Sequence, residues 1–97
     1  MDFGEALKAL KEGKKVARKG WNGYRKGMYI YLCDGQEIPQ YKWQERTPAQ
    51  ETTLSERMNG TVRIMPHIDM VSAQGERVIG WLASQTDMLS DDWVIIN

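Results

Sequence analysis

Two tryptophans that each follow a glycine, Trp21 after Gly20 and Trp81 after Gly80, are the residues of this chain best suited to recognising a ligand. Glycine lets backbone or a bound molecule approach closely, and an indole offers a broad face plus one N–H donor. Such a pair could grip a planar, polar molecule. Trp21 stands beside Arg18 and Lys19, just before the turn signal Asn22-Gly23. That setting suits stacking on a nucleobase with phosphate pairing close by. Trp81 falls between a strand pattern and Ser84, where the edge of a pocket is expected. Core packing explains either residue equally well. Trp93, at the head of a terminal strand pattern, reads as core, and Trp43 as exposed or intersubunit.

Catalytic patterns are weaker. Ser84, His67 and Asp87 can be drawn as a hydrolytic set, but nothing around Ser84 marks a nucleophile elbow. Asp91 and Asp92 are adjacent and would point apart, a poor geometry for paired acid and base. Neither a glycine-rich phosphate loop nor a dinucleotide fingerprint is present. Cys33 is the only cysteine and His67 the only histidine. An internal disulfide is therefore excluded, and the usual ligand set for zinc or iron is lacking. His67, after Pro66, reads either as a structural histidine or as a ligand contact. Asp87 either completes the cap of a short helical turn from Ser84 or binds ligand. No catalytic residue, metal or cofactor is expected.

The 97 residues suffice for one domain, and 41% hydrophobic with 27% charged is an ordinary soluble composition. No apolar run approaches the roughly 20 residues of a membrane span, and the first residues lack a signal-peptide pattern, so the expected location is cytoplasmic. The zero net charge is unevenly spread: residues 1–30 carry eight Lys/Arg against three acids, the remainder five against ten. A basic first third can attract phosphate, but it is too narrow a footprint to point to duplex DNA.

These residues need elements to position them. Phe3, Ala6, Leu7 and Leu10 share one helical face, Asp2 and Glu5 have capping-box spacing, and Gly13 suits a left-handed stop, predicting a helix over 3–12. Val16–Arg18, Met28–Leu32, Val62–Met65, Pro66–Met70, Arg77–Ile79 and Trp93–Ile96 read as strands, with Ile68 and Met70 flanking Asp69 in alternation and turns at Asn22-Gly23 and Gln74-Gly75. The unbroken apolar character of Met28–Leu32 predicts cover on both faces, core on one and another subunit on the other. Residues 34–60 form a polar excursion with a helical turn near 49–57, in which Tyr41 and Trp43 are the aromatic anchors. Ser84 and Asp87 predict a helical turn over 85–89. The sum is an α+β fold: an N-terminal helix packed on a mainly antiparallel sheet, in a small single domain.

Four blocks together resemble the Thoeris anti-defense 2 family of phages and prophages: Asp2-Phe3-Gly4-Glu5-Ala6-Leu7, Ala17-Arg18-Lys19-Gly20-Trp21-Asn22-Gly23, Pro66-His67-Ile68-Asp69-Met70 and the run Gly80–Trp93. They cover about two thirds of the chain in a specific order, which makes 1–97 one such domain with 34–60 as a variable excursion. The resemblance implies a non-enzymatic sponge that sequesters a cyclic nucleotide immune signal, a cyclic ADP-ribose isomer or a cyclic oligonucleotide. It also implies a homotetramer with ligand pockets at subunit interfaces, and no DNA or membrane partner. Carried onto this chain, it has Trp21 and Trp81 stacking on the base and Asp87 bonding to base or ribose. Arg18, Asn22 and Ser84 would serve phosphate and ribose. A phage interaction module without ligand, or an enzyme that degrades the signal, are the alternatives.

Overall fold

The structure, a computed structural model, describes residues 1–46 and 51–97. The fold is α+β, and the chain forms two compact units: residues 1–33 with 67–97, and residues 34–66.

The first unit begins with helix α1 (Phe3–Lys11), closed at its start by the expected capping box. The Asp2 carboxylate accepts the Glu5 N–H at 2.8 Å, while the Glu5 carboxylate accepts the Asp2 N–H at 3.2 Å. Gly13, φ +85°, lies just past the helix end. Strands β1 (Lys15–Arg18) and β2 (Tyr29–Cys33) follow, joined through a 3-10 turn at Tyr24–Lys26. After the second unit come strands β5 (His67–Val71) and β6 (Arg77–Val78), helix α4 (Gln85–Leu89) and strand β7 (Trp93–Ile96). The five strands form one sheet in the order β6-β5-β2-β1-β7, and every pairing is antiparallel.

The α1 face made by Ala6, Ala9 and Leu10 packs on Val16, Ile30 and Trp93, all buried. Trp93 is 0% exposed, so its reading as core holds. The N-terminal amine donates to the Trp93 carbonyl at 2.8 Å, and the Trp93 N–H returns to the Met1 carbonyl at 3.1 Å. The start of α1 is thereby sewn to β7.

Strand alternation sends Ile30 and Leu32 of β2 to the helix side and Tyr29, Tyr31 and Cys33 to the other face. On that second face Lys15 stands 5.1 Å from the Tyr29 ring centre and Arg77 5.3 Å from that of Tyr31. The apolar run of β2 thus has core beneath one face and an aromatic ladder with cations on the other.

The second unit is more ordered than its polar composition suggests. Strands β3 (Gln36–Pro39) and β4 (Thr61–Ile64) form their own antiparallel pair, and between them lie helices α2 (Gln40–Arg46) and α3 (Leu54–Asn59). Thr53 and Glu56 cap α3 with a further capping box. The expected helical turn at 49–57 corresponds to α3, shifted toward the C-terminus, while its residues 49 and 50 lie outside the described ones. The Val62 strand pairs within this unit, not with the five-stranded sheet, so the excursion extends to residue 66.

Candidate functional site

The structure brings Arg18, Trp21, Ser84 and Asp87 together at the end of β1 and the start of α4. The link is a single carboxylate. Asp87 Oδ1 accepts from Trp21 Nε1 at 3.0 Å and from Arg18 Nη1 at 2.8 Å, and Asp87 Oδ2 accepts from the Ser84 N–H at 3.1 Å. Ser84 Oγ accepts the Asp87 N–H at 3.0 Å, completing a capping box. The Asp87 carbonyl then accepts from Trp93 Nε1 at 3.0 Å, which ties the cap to the core.

Arg18 works on a second acid as well. Its Nε donates to Asp92 Oδ1 at 2.8 Å, and Asp92 Oδ2 accepts the Gly20 N–H at 2.8 Å. A Cβ on Gly20 would lie 2.7 Å from Asp92 Oδ2 and 3.1 Å from Arg18 Nη2. Gly20 is therefore required by this ion pair. Gly80 has a different reason: its φ of +87° lies in the left-handed region that side chains disfavour, and nothing crowds it.

These contacts fix the charges. Burial alone would raise the Asp87 carboxyl, but hydrogen bonds from Trp21, Arg18 and Ser84 outweigh it and hold it at about 2. The Arg18 guanidinium brings Asp92 below the ordinary carboxylate range, and the two acids raise Arg18 in return.

Trp21 and Trp81 are half-buried, and both pack edge-on against Trp93, at 5.3 and 6.1 Å between ring centres. They meet each other at 6.2 Å with planes 63° apart. Stacking and core packing are thus not exclusive, since each indole has one edge in the core. The planes are far from parallel, so the pair does not form a slot for one base within a chain. Asn22 is exposed next to Trp21. Ile79 and Leu82, close to Trp81 in the chain, are exposed as well, as is Leu89 at the end of α4.

A second group of chemically capable side chains lies on the sheet. Asp69, 2% exposed, accepts from Cys33 Sγ at 2.9 Å on Oδ2 and from the Gly80 N–H at 2.7 Å on Oδ1. His67 Nε2 stands 3.2 Å from Oδ1. Burial pushes this carboxyl up, and the Cys33, Gly80 and His67 donors more than reverse it. His67 is accordingly tied to a buried side chain. Ser84 and Asp87 are instead bonded to each other in the α4 cap, with Arg18 and Trp21 on the same carboxylate. Neither Asp69, expected only as a strand residue, nor Asp92, weighed only as half of an acid pair, was among the expected site residues. The available signal was an acid amid an apolar alternation in one case, and an acid directly before the core Trp93 in the other.

Among the described residues, no helix is long and apolar enough to cross a membrane. Residues 1–96 match the family described as "Thoeris anti-defense 2-like domain". The chain is also 32% identical to a protein of Bacillus phage SP01 named "Thoeris anti-defense 2", over all 97 residues of this chain and 96% of that protein.

Proposed function

The chain belongs to the Thoeris anti-defense 2-like family, and from that premise we propose that it is a non-enzymatic sponge. It binds a cyclic nucleotide immune signal of the cyclic ADP-ribose type, or a cyclic oligonucleotide, and withholds it from its effector in the host cytoplasm. Thoeris-type anti-phage defence is thereby inhibited.

The observation that carries this reading is the locked state of Trp21. Its N–H is held by Asp87 and its edge by Trp93. A ring fixed before binding stacks without the cost of ordering it. Stacking on such a face contributes about 1–3 kcal/mol per base. Because the Trp21 and Trp81 planes are splayed, the opposite face of each base is covered by another subunit. The exposed Ile79, Leu82 and Leu89 supply apolar surface for that association, in a homotetramer with interfacial sites. Three of the five Arg18 N–H groups reach Asp87 and Asp92, leaving two for phosphate. The Ser84 hydroxyl proton and the Asn22 amide serve ribose or phosphate, and the second lone pair of Asp87 Oδ2 serves a base or ribose donor. A sponge needs a buried ligand and slow release, with no tuned acid or base.

The test is to incubate the purified chain with cyclic ADP-ribose isomers, remove unbound ligand, denature the protein and identify what is released. Intact ligand is the expected result. Recovery of a hydrolysed product makes the chain an enzyme, and no retained nucleotide removes both readings. The exposed Leu82 and Leu89 favour one rival, an interaction module that binds no nucleotide. Under that rival Trp21→Ala breaks the oligomer, whereas a sponge keeps its oligomer and loses its ligand.

A further inference from the structure

We propose that Cys33, His67 and Asp69 bind one divalent transition-metal ion of the zinc type. The placement follows from strand register. Cys33 of β2 is paired directly with His67 of β5, and Tyr31 with Asp69. Directly opposed residues of an antiparallel pair share a face, as do residues two apart on one strand. All three donors therefore stand on the sheet face opposite α1, on two adjoining strands inside the sheet.

Their ligating atoms lie within 4.8 Å of one another. Zinc bonds of the usual length in a tetrahedral arrangement separate such atoms by roughly 3.3–3.6 Å. Small side-chain rotations reach that geometry, with the backbone held by the β2–β5 ladder. The donor set is one sulfur, one imidazole nitrogen and one carboxylate oxygen. That mixture suits zinc or cobalt and disfavours calcium and magnesium, which take oxygen ligands. The Gly80 N–H on Asp69 Oδ1 orients the carboxylate, as outer partners of metal ligands do. Three protein ligands leave a fourth position for water or an added donor.

The same atoms do not make a cysteine nucleophile. In such a site the imidazole stands between thiol and carboxylate. Here the carboxylate stands between the other two, 2.9 Å from Cys33 Sγ and 3.2 Å from His67 Nε2. On binding, the Cys33 thiol releases its proton to solvent, and the thiolate and Asp69 together balance the two charges of the ion. One cysteine and one histidine suffice in this proposal because Asp69 shares a strand face with His67, and the pairing of β2 with β5 brings Cys33 to them.

The experiment is a cobalt titration of the full chain without nucleotide, followed by absorbance. A thiolate-to-cobalt charge-transfer band with the intense visible bands of a tetrahedral site, saturating at one ion per chain and bleached by zinc, is expected. Cys33→Ser should abolish the charge-transfer band, and His67→Gln should weaken binding about tenfold or more. Both substitutions fall at half-exposed positions, and circular dichroism checks that each variant is folded. The proposal is overturned by a folded wild-type chain showing no charge-transfer band, by a band that survives Cys33→Ser, or by unchanged affinity in His67→Gln.

Discussion

Two buried carboxylates organise the first unit, and they differ in what they gather. Asp87 collects a guanidinium, an indole and a backbone amide. Asp69 collects a thiol, an imidazole and a backbone amide. The geometry is similar, with short bonds and little solvent. The donors are not. Arginine and indole keep their protons under all ordinary conditions, so the Asp87 group is a permanent frame. Cysteine and histidine can each present a lone pair to a metal, so in the proposed metal site the Asp69 group would exchange its hydrogen bonds for coordination. Proximity alone does not separate a fixed hydrogen-bonded frame from a group able to hold a metal; the acid–base chemistry of the partners does.

Deleting the Asp87 carboxylate should give the largest effect. Asp87→Ala takes away one of the two carboxylates that hold Arg18, leaves the Trp21 N–H without its acceptor and removes half of the α4 cap. The lost charged hydrogen bonds and cap should together cost about 2–4 kcal/mol, measurable by urea denaturation. A loss below about 1 kcal/mol would show that Asp87 is not the keystone of this corner. Trp81→Ala comes next. It has no side-chain hydrogen bond to lose, so its effect should appear in ligand affinity, about 1–3 kcal/mol by calorimetry. An unchanged affinity would remove Trp81 from the site and leave Trp21 as the sole stacking face.

Acid gives the next effect. Asp87 has a native pKa of about 2 against an ordinary 3.8, so between these values the unfolded chain binds more protons than the folded one. Stability from this group is complete above pH ~4 and is lost as pH falls through about 2, on the order of 2 kcal/mol. Asp92 and Asp69 are also depressed and push in the same direction. The comparison with Asp87→Asn isolates one group: the stability gap between wild type and variant should narrow as pH drops from 4 to 2. A constant gap would mean that Asp87 acts through shape and not through charge.

Local features of the fold were legible in the sequence because their causes are local. The Asp2/Glu5 and Ser84/Asp87 boxes span three residues each, and α1 and α4 start where those boxes place them. The strands Met28–Leu32 and Trp93–Ile96 declared themselves by composition, and Pro66–Met70 by alternation. What stayed hidden depends on pairing. Gln36–Pro39 carries no alternation and ends on a proline, so β3 emerges only through its partner β4. The Arg18 contacts to Asp87 and Asp92 span 69 and 74 residues, beyond any spacing rule. Asp69 is the intermediate case. Alternation placed it on the face away from Ile68 and Met70, with His67, and only the register of β2 against β5 added Cys33.

The smallest effect tests the point where frame and ligand overlap. Ser84 Oγ accepts the Asp87 N–H, while Asp87 Oδ2 accepts the backbone N–H of residue 84 whatever its side chain. Ser84→Ala therefore removes one of the two capping bonds and should cost about 1 kcal/mol of stability. Ser84→Asn restores a good capping acceptor, so it should recover that loss. The two variants separate the roles. A hydroxyl that only caps gives an asparagine variant equal to wild type in both stability and nucleotide affinity. A hydroxyl that also meets ribose gives one that is stable yet binds more weakly, because the hydroxyl proton is gone while the cap remains. In the second outcome Ser84 passes from the frame to the binding surface, and the boundary between the two runs through a single side chain.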